Sequence, residues 1–193
     1  MGVGRNGGFD MKLNSTNLEK ELSDYLRLVN SIKLPTPHGD VLIFIHSLKR
    51  KPLGSGPYPD VSLFEASNRI LSDMVILFGV RRLLANPSVG DVQLPFTEYE
   101  VTLGVESGND LIAIAGNCRL VGEAFNVAPS FFQTKKSSMV KKLSAKKADY
   151  RLIIFNADAV KSPDNYIEKS EQSMLYLPVN ISVERANVDL KQL

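Results

Sequence analysis

Two carboxylates thirteen residues apart, Asp110 and Glu123, are the residues whose types and spacing point most directly to chemistry in this 193-residue chain. After Asp110 come an apolar run, Leu111 to Ala115, then Gly116-Asn117, then the alternating stretch Arg119 to Val127 that contains Glu123. A Gly-Asn pair between two such runs is a hairpin signal. If those two residues form the turn, Ala115 faces Cys118, and the same register sets Asp110 opposite Glu123 on one face. Opposed residues have Cβ atoms about 4.5–5.5 Å apart, and like charges so placed are destabilising. Either one carboxyl is protonated by its neighbour or a cation sits between them. A hard ion such as Mg²⁺ takes oxygen ligands and often uses one or two carboxylates plus a substrate phosphate. The plainer alternative has Asp110 closing the Ser107-Gly108-Asn109 turn, with Glu123 in solvent or paired with Arg119 or a lysine. Glu123 stands in the mostly apolar Val121-Gly-Glu-Ala-Phe125, where an unpaired charge is costly, and the two readings stand level.

A second group of charges follows. Lys135, Lys136, Lys141, Lys142, Lys146 and Lys147 fall on a helix expected from Pro129-Ser130 to about Lys147. At 100° per residue, Phe132, Met139, Val140 and Leu143 form an apolar stripe. Lys141 points away from it, and Lys135, Lys142 and Lys146 cluster along one border. Lys136 projects from within the stripe, so it must snorkel or meet a carboxylate. In the second case Lys136, or Lys135 in its place, supplies an ammonium group to Asp110 and Glu123. Lys142 and Lys146 would then track phosphates, with an affinity that falls with salt. The run Lys49-Arg50-Lys51 is a further basic candidate, either a phosphate contact or a solvated loop. His46 reads as a strand-end residue rather than a base. Cys118 has no visible activating partner.

The elements that would carry these groups are legible from periodicity. Leu18, Leu22, Tyr25, Leu26 and Val29 fall at helical spacing from about Asn17. Val41 to Ile45 reads as a compact apolar strand, and the Pro- and Gly-rich stretch Pro52 to Asp60 as a loop. A helix is expected from about Val61 to Leu84, opened by the capping-box pair Ser62 and Glu65 and closed by Asn86-Pro87. Strands are expected at Glu98 to Leu103, Asp110 to Ala115, Arg119 to Val127 and Tyr150 to Phe155. Another spans Met174 to Val183, with Pro178 implying a sheet edge. An antiparallel meander followed by a helical crossover makes a mixed sheet flanked by helices, an α/β (α+β) fold.

Composition excludes several classes. With 44% hydrophobic and 23% charged residues the chain is neither disordered nor fibrous, and its length suits one domain. No apolar run approaches the roughly 20 residues of a membrane span. The first residues lack a basic-then-apolar export signal, a single cysteine cannot form an internal disulfide, and His38 and His46 do not make a zinc site. A cytoplasmic protein is expected. Residues 1–12 read as a flexible glycine-rich tail, because Gly2-x-Gly4-x-x-Gly7 has no preceding strand to make it a dinucleotide loop. Residues 13–193 read as a single domain. The net charge of +2, from 23 Lys+Arg against 21 Asp+Glu, averages over unequal parts.

Asn109-Asp110, thirteen residues on to Glu123, and then Ala124-Phe125 resembles the motif of the PD-(D/E)XK nuclease superfamily. The expected element order over about 61–155 is similar to that superfamily's αβββαβ core, the restriction-endonuclease-like fold. The resemblance implies an Mg²⁺- or Mn²⁺-dependent endonuclease acting on DNA, of the restriction type, and a homodimer matching a twofold duplex site. It implies metal binding by Asp110 and Glu123, with Glu65 as an accessory acid if it is not simply a cap. The chain departs from the motif at Asn109, where the family has proline, and at Phe125, where it has a catalytic lysine. Some members carry that lysine on the following helix, which would make Lys136 or Lys135 its counterpart. The other expectations are a non-catalytic nucleic-acid-binding or assembly module that retains the fold, and a different α/β enzyme with a coincidental register.

Overall fold

The computed structural model describes residues 2–3, 9–36, 39–104, 109–171 and 173–181. In chain order the elements are β1 (Gly2–Val3), β2 (Phe9–Asn14), α1 (Leu18–Asn30), α2 (Val41–Arg50), α3 (Leu63–Ala85), β3 (Ser88–Val89) and β4 (Val92–Gln93). They continue with β5 (Glu98–Leu103), β6 (Leu111–Ala115), β7 (Cys118–Phe125), α4 (Phe132–Ser144), β8 (Tyr150–Asn156), α5 (Asp164–Ile167) and β9 (Leu175–Val179).

Among the described residues seven strands form one sheet in the order β1-β2-β5-β6-β7-β8-β9, and β3 with β4 makes a separate small hairpin. Pairing is antiparallel from β1 through β7, then parallel from β7 to β8 and from β8 to β9. The change of sense falls where α4 makes the crossover that a parallel pair requires. With the separate β3–β4 hairpin set aside, the order from α3 to β8 is αβββαβ, as expected from the sequence.

Helices cover both faces of the sheet. Leu22 and Tyr25 of α1 and Leu77, Val80 and Leu83 of α3 bury against Leu120, Leu152 and Ile154. On the other face Phe132, Met139 and Leu143 of α4 bury against Val121, Phe125, Ile153 and Phe155. The unbroken run Leu152 to Phe155 is therefore buried on both sides, as in strands enclosed between helical layers. β9 is the terminal strand, so Pro178 sits at an edge. Among the described residues no helix is long and apolar enough to cross a membrane.

Two expectations are corrected. Val41 to Ile45 is not a strand but the first half of α2, where Asp40 accepts hydrogen bonds from the backbone N–H of Leu42 (2.7 Å) and Ile43 (3.2 Å). A five-residue apolar run does not distinguish helix from strand, and here the N-cap decides. The tail does not extend to Lys12, because Phe9–Asn14 is a strand paired along its whole length with β5, and Phe9 and Leu13 are buried. Residues 4–8 of that tail, His38, Ser107-Gly108 and residues 182–183 of the last expected strand lie outside the described residues.

Helix α3 approaches β8 at Gly79, where an added Cβ would lie 2.7 Å from Ile154 Cδ1 and 2.8 Å from its Cγ2. Gly79→Val should therefore lower the unfolding free energy by about 1–3 kcal/mol through overpacking. Urea denaturation measures this, and an unchanged midpoint would mean that α3 can stand off from the sheet at no cost.

Candidate functional site

The β6–β7 hairpin has the register read from its turn: Ala115 pairs with Cys118, and the ladder runs to Leu111 opposite Gly122. Gly116 has φ +58°, a conformation that favours glycine. One step beyond the ladder are Asp110 and Glu123. Asp110 accepts a hydrogen bond at Oδ2 from the backbone N–H of Ala124 (2.7 Å), which ties it to the strand carrying Glu123. Its own backbone oxygen accepts from the N–H of Thr102 on β5 (3.1 Å).

Glu123 shares the α4-facing side of β7 with Val121 and Phe125 and is only 3% exposed. Its Oε2 accepts a hydrogen bond from Lys142 Nζ at 2.6 Å, while Oε1 has no hydrogen-bond partner among the described residues. Burial raises the pKa of Glu123. The Lys142 hydrogen bond opposes that rise, and the charge of Asp110 adds to it. Asp110 is also raised by burial, against the Ala124 N–H and the charges of Lys142 and Lys135. Two carboxylates that disfavour each other's ionisation thus stand against two lysines that restore it.

These four side chains line one cleft of 460 Å³ together with Glu65, Arg69 and Asp73 of α3. Lys135 and Lys142 are seven residues apart, two turns of α4, so they lie on one side of the helix and face the same cavity. Lys136 does not. Its Nζ lies 5.3 Å from the ring centroid of Tyr166, a cation–π contact beyond the cleft. Lys136 thus finds an aromatic face behind the apolar stripe, and Lys142, expected to track phosphate, reaches the carboxylate. Lys146 remains near enough for its charge to act on Glu123.

Phe125 lies in an aromatic cluster, stacked on Phe155 (centroids 6.1 Å) and packed against Phe132 (5.7 Å). A lysine there would have to bury its ammonium beneath α4, so the cationic groups of this site come from the helix instead. Ser62 caps α3, its Oγ accepting from the backbone N–H of Glu65 (3.3 Å), while the Glu65 carboxylate accepts from Arg69 Nη2 (2.7 Å) and lines the cleft. Lys49, Arg50 and Lys51 end α2 in solvent, away from the cleft lining, with Lys49 over the Phe64 ring at 5.1 Å.

Asp73 was not singled out by the sequence reading. It is 1% exposed and accepts hydrogen bonds from the hydroxyls of Tyr25 and Tyr58 and from the backbone N–H of Gly104 (3.1 Å). The available signal was a lone acid in the apolar stretch Asp73-Met-Val-Ile-Leu77, on the stripe shared with Ala66 and Val80. No three acidic, histidine or cysteine side chains among the described residues form a metal-holding group. The donor set of Asp110 and Glu123, with the uncommitted Glu123 Oε1, fits an ion that completes its shell with water and phosphate oxygens, as Mg²⁺ does. Comparison with family models, with curated proteins and with solved structures gave no match.

Burial pushes the Asp73 carboxyl from 3.8 up to about 6. The folded chain thus holds this proton more tightly than the unfolded chain. The contribution of Asp73 to stability is fullest below about pH 4 and is lost as pH rises to about 6, the reverse of a salt-bridged aspartate. The stability of the protein relative to Asp73→Asn should accordingly fall, by up to about 3 kcal/mol, between about pH 4 and pH 7. Urea unfolding of both chains at the two pH values checks the sign, and a pH-independent difference would contradict it.

Proposed function

We propose that this chain is an Mg²⁺- or Mn²⁺-dependent endonuclease that hydrolyses DNA, with Asp110 and Glu123 as metal ligands and Lys142 and Lys135 as its cationic groups. The observation that carries this reading is Glu123: a buried carboxylate with one oxygen on a lysine and the other without a hydrogen-bond partner among the described residues, beside a second carboxylate. A buried acceptor left unsatisfied costs about 1–3 kcal/mol, and a cation at the mouth of the cleft would relieve that cost. When bound, the divalent ion supplies Lewis-acid charge at the scissile phosphate and acidifies water.

The residues of this chain do the rest. Asp110, anchored by the Ala124 N–H, presents its carboxylate in a fixed orientation. Lys142 neutralises Glu123 and stands within reach of the charge that develops on the phosphate. Lys135, one face of α4 with it, holds a neighbouring phosphate oxygen. Lys146 extends the same border along the backbone of the nucleic acid, a contribution that weakens with salt. The order αβββαβ supports the restriction-endonuclease-like reading of the fold, and a twofold duplex substrate is matched most simply by a homodimer acting in the cytoplasm. Phe125 favours a second reading, a non-catalytic nucleic-acid-binding or assembly module.

Nicking of supercoiled plasmid with Mg²⁺ or Mn²⁺ separates the two. Asp110→Ala and Glu123→Ala should each lower the rate by at least about a hundredfold, and a chelator should abolish it. Lys142→Met should reduce turnover far more than binding, whereas Lys136→Met should leave the rate within about twofold because its ammonium faces Tyr166. A wild-type chain that binds DNA with a steep salt dependence but cuts none would support the binding module.

A further inference from the structure

We propose that Asp73 is a positioning residue for Asp110, acting through Gly104 at the end of β5; the metal role it serves rests on the nuclease reading above. Both backbone polar groups of Gly104 are held by α3. Its N–H donates to Asp73 Oδ1 (3.1 Å), and its carbonyl accepts from Arg69 Nη1 (3.3 Å). Gly104 has φ +74°, and an added Cβ would lie 2.5 Å from Cε1 and the hydroxyl of Tyr58. The same Tyr58 hydroxyl donates to Asp73 Oδ2, which also takes the Tyr25 hydroxyl, and the Arg69 guanidinium lies 5.5 Å from the Tyr58 ring centroid. One carboxylate thus gathers α1, the segment before α3 and the exit of β5.

That exit determines where Asp110 stands. Two residues before Gly104, the N–H of Thr102 holds the Asp110 carbonyl, and Val101 pairs with Leu111. Asp110 then reaches across to Ala124 N–H, beside Glu123. Both Asp73 oxygens already carry donors, so it orients the site rather than binding the ion. An ionisable group at 1% exposure in the stretch Asp73-Met-Val-Ile-Leu77 is costly for folding alone, where an apolar residue would pack without that cost. Its hydrogen bond to Gly104 in the cleft wall gives it a role besides packing.

The test uses the full chain as wild type, Asp73→Asn and Gly104→Ala. Mn²⁺ binding is read by electron paramagnetic resonance, Mg²⁺-supported cleavage by kcat and KM, and folding by circular dichroism. Mn²⁺ affinity should fall about 10- to 100-fold in both variants, and kcat with it, while KM for DNA holds within about twofold. Amide exchange should quicken at Gly104 and at Asp110 to Ile112. Gly104→Ala keeps the carboxylate and acts on the Gly104 backbone and the Tyr58 ring packed against it, so it decides the matter if Asp73→Asn does not fold. Unchanged Mn²⁺ affinity and kcat in a folded variant would overturn the proposal. A wild-type chain that neither binds Mn²⁺ nor cuts DNA would overturn the nuclease reading and the metal role with it. Quickened exchange in the variants would then still support the clamp on Asp110, and unchanged exchange would overturn that too.

Discussion

Side chains alternate along a strand, so slipping the β6–β7 hairpin by one residue would exchange every position on its two faces. Gly116, at positive φ, holds the turn that prevents this slip. The consequence for Glu123 is a buried place on the α4-facing side of β7 between Val121 and Phe125. A carboxylate in that position requires a counter-charge or a proton. Helix α4 must cross that face to return the chain to β8, and it brings Lys142 to the acid. The cleft, its paired charges and the orientation of Asp110 all follow from the one register.

Among the described residues two carboxylates are buried, Asp73 and Glu123, and they are accommodated in opposite ways. Asp73 is surrounded by neutral donors that occupy both oxygens, and burial remains the dominant influence on its proton. Glu123 has a single charged donor and an oxygen left over. The first arrangement ties three segments together; the second leaves one acceptor oxygen without a donor among the described residues. A fully satisfied polar network rigidifies, while a partly satisfied one is where binding energy remains to be gained. Both stand in the wall of one cleft, the satisfied acid on α3 and the partly satisfied one on β7.

Charge is distributed just as unevenly. Lys135 and Lys142 of α4, with Lys146 just beyond its end, gather next to two acids, so the near-neutral total conceals a local cationic border. Lys49 to Lys51 contribute nothing to that border, because the segment before them coils into α2 instead of joining the sheet. Lys136 is removed from it by Tyr166, which offers an aromatic face on the far side of the stripe.

Much of this was legible in the residues themselves. The αβββαβ order, the hairpin register and the border of lysines come from local patterns: alternation, a two-residue turn and helical spacing. Those are short-range signals that tertiary structure rarely overrides. Other features depended on what lay across a gap. Whether Val41 to Ile45 coils or extends, which lysine meets Glu123, and why Phe125 is not a lysine each turn on a neighbour remote in the chain. Asp73 makes the point most sharply, since its partners Tyr25, Tyr58 and Gly104 are scattered over 79 positions of the sequence. Spacing along one element places a side chain on a face; only the packing of elements decides what that face meets.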